Sequence, residues 1–229
     1  MDRALTQHTN RRYDEQLAQL REALLAMGEL VDAQIRDGVD CFLGCDRARA
    51  AAVAARDAEV NRLDTEIDDR CVGVLALNQP AAVDLRLIMA ALKITTDLER
   101  VGDQAASICS RLVEPAHLAA LGVDDELARM ARLARAMVRE SLDALANLDA
   151  TRAKAVIVRD DELDGLHHAL LNRVLAVMID EPGGIGPGTR VVFVSRSLEQ
   201  IGDHATNIAE AVVFMVEGRD IRHRERRAR

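Results

Sequence analysis

Two segments 100 residues apart carry the same eight-residue pattern, and that duplication constrains the fold more than any other feature of the chain. Leu98-Glu99-Arg100-Val101-Gly102-Asp103-Gln104-Ala105 and Leu198-Glu199-Gln200-Ile201-Gly202-Asp203-His204-Ala205 both read Leu-Glu-x-β-branched-Gly-Asp-x-Ala. A repeat of that length means two domain-sized units, not a short-period solenoid. Leu198, Ile201, Ala205, Ile208, Val212 and Met215 step by three and four, as one buried face of a long helix does. Leu98, Val101, Ala105, Ile108 and Leu112 do the same. Glu199 and Asp203 stand four apart, about 40° from each other round the helix and away from the apolar seam, and Glu99 and Asp103 repeat them.

That arrangement is unfavourable for a bare helix. Like charges at i, i+4 destabilise an isolated helix by roughly 0.2–0.5 kcal/mol, and a mid-helix glycine costs about 1 kcal/mol relative to alanine. An acid stripe on one helix is ordinarily a solvated face paired with arginine. The same penalties at the same positions of both copies point instead to work for the carboxylates, with cation binding the first choice.

A pass along the chain supports long helices throughout. Leu17, Leu20, Leu24, Met27 and Val31 begin a seam that runs from near Tyr13 to about Leu43. Gly44-Cys45-Asp46 reads as a turn with Asp46 as N-cap. A second helix carries Val53, Val60, Leu63, Ile67 and Val74 and stops at Asn78-Gln79-Pro80. The third is expected over 81–113, the fourth after Gly122-Val123-Asp124, and the fifth over 151–179. The segment 181–188 reads as a loop because of its Pro and Gly content. Arg190-Val191-Val192-Phe193-Val194 has the composition of a short strand, yet the repeat aligns it with Ala90–Ile94 and makes it the start of the sixth helix.

The expected fold is therefore all-α, as two tandem antiparallel three-helix bundles over 1–116 and 117–218, followed by a basic, disordered tail over 219–229. Composition agrees: 49% of residues are hydrophobic, only 2% aromatic, and there is no Trp. The net charge of −8 argues against a nucleic-acid partner. The N-terminal residues lack a secretory apolar stretch, and no apolar run approaches the ~20 residues of a membrane span, so a cytoplasmic protein without an integral membrane segment is expected. Cys41, Cys45, Cys71 and Cys109 match no zinc-ribbon spacing and read as small core residues, although Cys41 and Cys45 lie on adjacent turns where two thiols could hold a metal. Flat apolar strips on long helices point to a homodimer.

The second helix of each half adds acids to the constellation. Asp57, Asn61, Asp64 and Asp68 span only about 60° of its surface, and Asp160, Asp164 and His167 keep that stripe in the second half. Carboxylate, amide oxygen and imidazole suit Mg, Ca, Mn, Fe or Zn, whereas the absence of thiols from the stripes disfavours soft ions. Asp164-x-x-His167 is like the Glu-x-x-His ligand step of di-iron bundles. A carboxylate-bridged metal enzyme is the competing class. It would need ligands aimed into a bundle interior beside a general base, whereas these acids are expected to project opposite the apolar seam, with no nucleophile–base pair in sight.

Taken together with Asn78-Gln79-Pro80-Ala81-Ala82-Val83-Asp84-Leu85-Arg86, Ala91–Arg100, Tyr13–Leu17 and Val216–His223, the doubled motif closely resembles the PhoU family over nearly the whole chain. The resemblance implies a cytosolic, non-enzymatic regulator of phosphate uptake. Such a protein works between the ATPase subunit of a phosphate ABC transporter and a membrane sensor histidine kinase, and restrains phosphate-responsive signalling when phosphate is plentiful. It also implies metal sites, filled by a divalent or trivalent ion such as Fe, Zn, Mn or Mg. Carried over position by position, the ligands are Glu99, Asp103, Asp57 and Asn61 in the first half, and Glu199, Asp203, Asp160 and Asp164 in the second. Ser107 departs from the pattern where Asn207 keeps it, and Gln200 stands where an Arg is usual. Six arginines in 219–229 give the tail a charge that could reach an acidic partner or an anionic membrane surface.

Overall fold

The computed structural model describes residues 11–80 and 82–221. The N-terminal segment 1–8 read above, Ala81, and the tail from Arg222 onward lie outside the described residues. Helices α1 (Arg11–Gly44), α2 (Arg47–Asn78), α3 (Ala82–Cys109), α4 (Pro115–Leu121), α5 (Asp124–Asn147), α6 (Ala150–Asp180) and α7 (Ile185–Glu217) follow one another, with a single 3₁₀ turn at Pro182–Gly184 and no strand among the described residues.

The first joint of each half is built the same way, 103 residues apart. α1 ends with Cys45 at φ 51°, and α5 ends with Leu148 at φ 52°. Each left-handed residue turns the chain so that the next one, an aspartate, caps the following helix. The Arg49 N–H donates to Asp46 Oδ1 at 3.0 Å, and the N–H groups of Thr151 and Arg152 donate to Asp149 Oδ1 at 2.9 and 3.0 Å. Such a cap satisfies helix-terminal donors that would otherwise lack partners.

α1, α2 and α3 form one antiparallel triplet, and α5, α6 and α7 the other. α3 and α7 lie side by side between them, while α1 also packs on α5. The chain directions of α3 and α7 oppose: Arg86 at the start of α3 donates to the Met215 carbonyl near the end of α7, at 3.3 Å, and Arg190 near the start of α7 donates to the Leu112 carbonyl just past α3, at 2.8 Å. One continuous apolar core runs through both triplets, from Leu20 and Leu24 through Leu98, Val101, Ile201 and Ile208 to Val213. A two-pronged Asp32–Arg135 ion pair at 3.0 and 3.1 Å ties α1 to α5 at its edge. The repeat also fixes the inter-helix pairs within each half. Arg56 on α2 reaches Asp37 on α1, and Arg159 on α6 reaches Glu140 on α5, each across 19 residues of chain.

Three sequence expectations change. α4 is an additional short helix, opened by Pro115 at its first turn and closed by Gly122 at φ 61°, in a segment expected only to link the halves. α3 stops at Cys109, so Ser110–Val113 form a turn and not its last coil. The expected loop 181–188 is mostly helical: Ile185-Gly186-Pro187-Gly188 open α7, because proline is tolerated in a first turn and Gly188 lets Met178 of α6 lie close. The 190–194 segment is helix, as the repeat requires. Cys41, Cys71 and Cys109 are buried and all four cysteines are free thiols; burial pushes the Cys71 and Cys109 thiols up to about 12, so they behave as apolar core groups.

Asp37 is a buried carboxylate that two arginines, Arg36 and Arg56, hold by hydrogen bonds. Burial works against its charge, but hydrogen bonds from Arg56 and Arg36 more than offset it and hold the carboxyl below the usual range. A depressed carboxylate stabilises the fold above its unfolded pKa, and the gain disappears as pH falls through the folded value. Asp37→Ala is expected to cost about 1–2 kcal/mol at neutral pH, with the difference from wild type vanishing in acid. Urea unfolding of both proteins across pH 2–7 checks the sign.

Candidate functional site

The glycines of the two repeated motifs determine where the acids sit. A Cβ on Gly102 would stand 3.1 Å from Gln34 Oε1, 3.3 Å from Val60 Cγ1 and 3.7 Å from Asp57 Oδ1. On Gly202 it would strike Leu163 and stand 3.5 Å from Asp160 Oδ1 and 3.6 Å from Met137 Cε. Each bare stretch of backbone therefore admits the α2 or α6 helix, and one aspartate, against the next turn of α3 or α7. The mid-helix glycine, costly by propensity, is required by close approach.

The expected site residues are gathered as the repeat implies, but only Asn61 and Asp103 are exposed. Glu199 is 8% exposed, and Asp57, Glu99, Asp160, Asp164 and Asp203 are half-buried, so for these six the expectation that the acids project away from the packed side is corrected: they lie where α2 meets α3 and where α6 meets α7. Their charges oppose one another there. Burial first, and then the Asp103 charge, raises Asp57, while hydrogen bonding by Asn61 and Gln34 works the other way. Glu99 is raised by burial and by Asp103, Asp64 and Asp57. Asp160 is pushed up to about 7 by burial and then by Asp203, Asp164 and Glu199. Glu199 is raised by burial and Asp203, with the neighbouring Arg196 pulling it back. All eight expected residues thus lie in two corresponding clusters.

The second cluster is the more apolar. Gln34 stands beside Asp57, and its counterpart 103 residues on is Met137, which offers Asp160 no hydrogen bond. His167 occupies the place that Asp64 holds in the first half. Its Nδ1 lies 3.0 Å from Ser195 Oγ, and Ser195 gives its own proton to the Val192 carbonyl at 2.9 Å. The imidazole must then donate through Nδ1, which leaves Nε2 as an acceptor. Burial keeps this ring neutral by lowering its pKa. Asp64 and His167 are visible on the sequence stripe, but they join the site only because α2 and α6 turn that stripe towards α3 and α7. This pair does not present Ser195 as a nucleophile, since its hydroxyl is fully buried and its proton is already committed.

Does the donor set fit a metal ion? Asp57 Oδ1, Asp160 Oδ1 and Glu199 Oε2 are buried with no hydrogen-bond partner. A stranded carboxylate oxygen is costly unless a cation or donor meets it, and hard oxygen donors suit Mg, Mn, Fe or Zn. The chemistry fits. Among the described residues, however, no three His, Cys, Asp or Glu side chains already stand grouped to hold one ion, so binding would have to draw the carboxylates together by rotation about their side-chain bonds. Asp103 and Asp203 also both line a polar cavity of about 360 Å³ on the α3–α7 seam, which joins the two clusters.

The chain matches the PhoU domain model twice, over residues 24–112 and 127–212. It is 37% identical over 224 residues to the phosphate-specific transport system accessory protein PhoU homolog of Pseudomonas aeruginosa, covering 96% of this chain and 91% of that one. The homolog from Caulobacter vibrioides is 38% identical over 220 residues, with 95% of each chain covered. Among solved structures, PhoU from Pseudomonas aeruginosa superposes with a TM-score of 0.84 at 36% identity, covering 90% of this chain and all of that one. The phosphate transport system regulatory protein PhoU from Streptococcus pneumoniae superposes with a TM-score of 0.82 at 25% identity, covering 91% and 99%.

The packing at the two glycines yields a test. Gly202→Ala drives a methyl into buried Leu163, and overpacking of that kind costs about 1–3 kcal/mol, only partly offset by ~1 kcal/mol of helix propensity. Gly102→Ala meets the movable end of Gln34 and should lie closer to neutral. Denaturant midpoints of the two variants should fall in that order.

Proposed function

The chain belongs to the PhoU family, and from that premise we propose that it is an accessory regulator of phosphate-specific transport. In this reading it acts in the cytoplasm between the ATPase subunit of a phosphate ABC transporter and a sensor histidine kinase, and restrains signalling when phosphate is plentiful. Several features support a regulator. The relatives spanning its full length are named as accessory proteins of phosphate transport, and no helix among the described residues is long and apolar enough to cross a membrane. Exposed Met89 and Phe193 on α3 and α7 leave apolar surface for a second copy or a protein partner.

The observation that carries the metal part of the proposal is the pair of stranded carboxylate clusters. Asp160, Asp164, Glu199 and Asp203 would hold one divalent or trivalent cation, and Asp57, Asn61, Glu99 and Asp103 another. The bound ion would supply positive charge that turns the mutual repulsion of these acids into attraction. In this reading His167 and Asp64, at corresponding positions of the two halves, would be the further ligands. The chain's own residues do the rest: Arg196 holds Glu199 at the mouth of its cleft, and Ser195 orients His167.

A cation that binds only the folded chain stabilises it by about 2.7 kcal/mol at a hundredfold excess over Kd. Wild type is therefore expected to melt at a higher temperature with Mn, Fe, Zn or Mg than in chelator. Asp160→Asn with Asp203→Asn should remove most of that rise while leaving the Arg196–Glu199 pair intact. The chelated double variant should melt no lower than chelated wild type, because it has lost repulsion and not attraction. Absence of a metal-dependent shift in wild type would make the clefts a docking surface, and the double variant would then lose capture of the kinase or ATPase subunit with its melting curve unchanged.

A further inference from the structure

Many of the described arginines on this acidic molecule face a carboxylate: Arg56 meets Asp37, Arg135 meets Asp32, Arg159 meets Glu140. Arg47, Arg111 and Arg190 have no carboxylate partner among the described residues. They come from three different places in the chain: the first turn of α2, the turn after α3, and the early part of α7. All three line one cavity of about 410 Å³, together with Ala50, Cys109, Ser110 and Leu112, and no acid lines it.

The guanidiniums are not equivalent. Arg190 is partly engaged, donating to the Leu112 carbonyl in the turn after α3 at 2.8 Å. Among the described residues, Arg47 and Arg111 donate to no carbonyl. Arg111 instead lies over the Phe193 ring, with Cζ 4.4 Å from the centroid. Stacking fixes the plane of a guanidinium while leaving its N–H groups free to donate along that plane. Its Nε is buried and has no partner, a costly state for a charged donor. A tetrahedral dianion is the ligand that three forked donors around a small open cavity accept, whereas the Ser110 hydroxyl at the rim commits its proton to the Ser107 carbonyl at 2.7 Å and adds no donor.

We propose that Arg47, Arg111 and Arg190 form a binding site for a phosphoryl oxyanion, separate from the acid clefts. The site does not rest on the metal reading. Its ligand is inorganic phosphate or the phosphoryl group of a phosphorylated side chain, and the two present the same charged oxygens. A site of this kind would give a phosphate regulator direct contact with the ion, or with a phosphorylated partner.

Isothermal titration of the full chain tests this, run in chelator so that no cation in the acid clefts can retain phosphate. Inorganic phosphate and an O-phosphoserine peptide are titrated in parallel. At least one should bind saturably, and the tighter of the two identifies the source. Arg111→Gln is expected to weaken that ligand by about tenfold or more, and Arg47→Gln by severalfold, because each removes a charge-assisted donor. Arg129→Gln, a surface arginine paired with Glu162 on another face, should leave binding unchanged. Arg47 is exposed and supports no packing, so its variant remains informative if Arg111→Gln fails to fold. Absence of saturable binding of either ligand by wild type, or equal binding by the Arg47 and Arg129 variants, overturns the proposal.

Discussion

Where α2 crosses Gly102 and α6 crosses Gly202, side chains of the crossing helix press directly onto bare backbone, and a carboxylate is trapped at each contact. Helix axes can approach this closely only where one of them lacks a Cβ, and the ordinary occupant of such a gap is an apolar group. Here Val60 and Leu163 fill part of the gap, and Asp57 and Asp160 lie at its edge. Burial raises their pKa, and nearby acids raise it further. The carboxylates are thus kept in a state that a cation or a partner's donor would relieve.

The two halves do not solve that problem in the same way. The first half places an amide, Gln34, against its aspartate; the second places a thioether, Met137. The first completes its stripe with Asp64, and the second with a neutral imidazole held by Ser195. A cluster whose aspartate faces an amide and a cluster whose aspartate faces a thioether beside an imidazole differ in the ions they favour and in how strongly they hold a proton. Duplication kept the scaffold while the inner residues diverged, so the two clefts are chemically distinct sites on one frame.

Charge is also sorted along the seam of α3 and α7. Its middle is acidic and polar, with Asp103 and Asp203 lining one cavity, and Asp97 receives His204 and Asn207 across it at 2.9 and 3.0 Å. The end near Ser110 and Arg190 is basic. Both regions lie on the two helices that join the triplets, so a ligand at one end and an ion in the middle would act on the same pair of rods. Packed helices transmit such effects because they shift as units.

Much of this was legible in the sequence. The three-and-four spacing of apolar residues fixed the long helices, and the 100-residue repeat assigned 190–194 to helix where composition alone suggested a strand. Glu99, Asp103, Glu199 and Asp203 stood out because like charges at i, i+4 recur in both copies; Asp57, Asn61, Asp160 and Asp164 came from the polar stripe on the second helix of each half, and the resemblance joined the eight into ligand sets. Periodicity did not disclose α4 or the helical start of α7, since a proline signals a helix's first turn and its interruption equally well. It also placed the acids on an outer face, because a single helix has no neighbour to bury them. That Gly102 and Gly202 exist to admit α2 and α6, that Gln34 and Met137 make the clefts unequal, and that Arg47, Arg111 and Arg190 meet round one cavity were decided only by tertiary structure. Local sequence sets the direction in which each side chain leaves its own helix; the group it then faces depends on which helix is packed alongside, and at what distance.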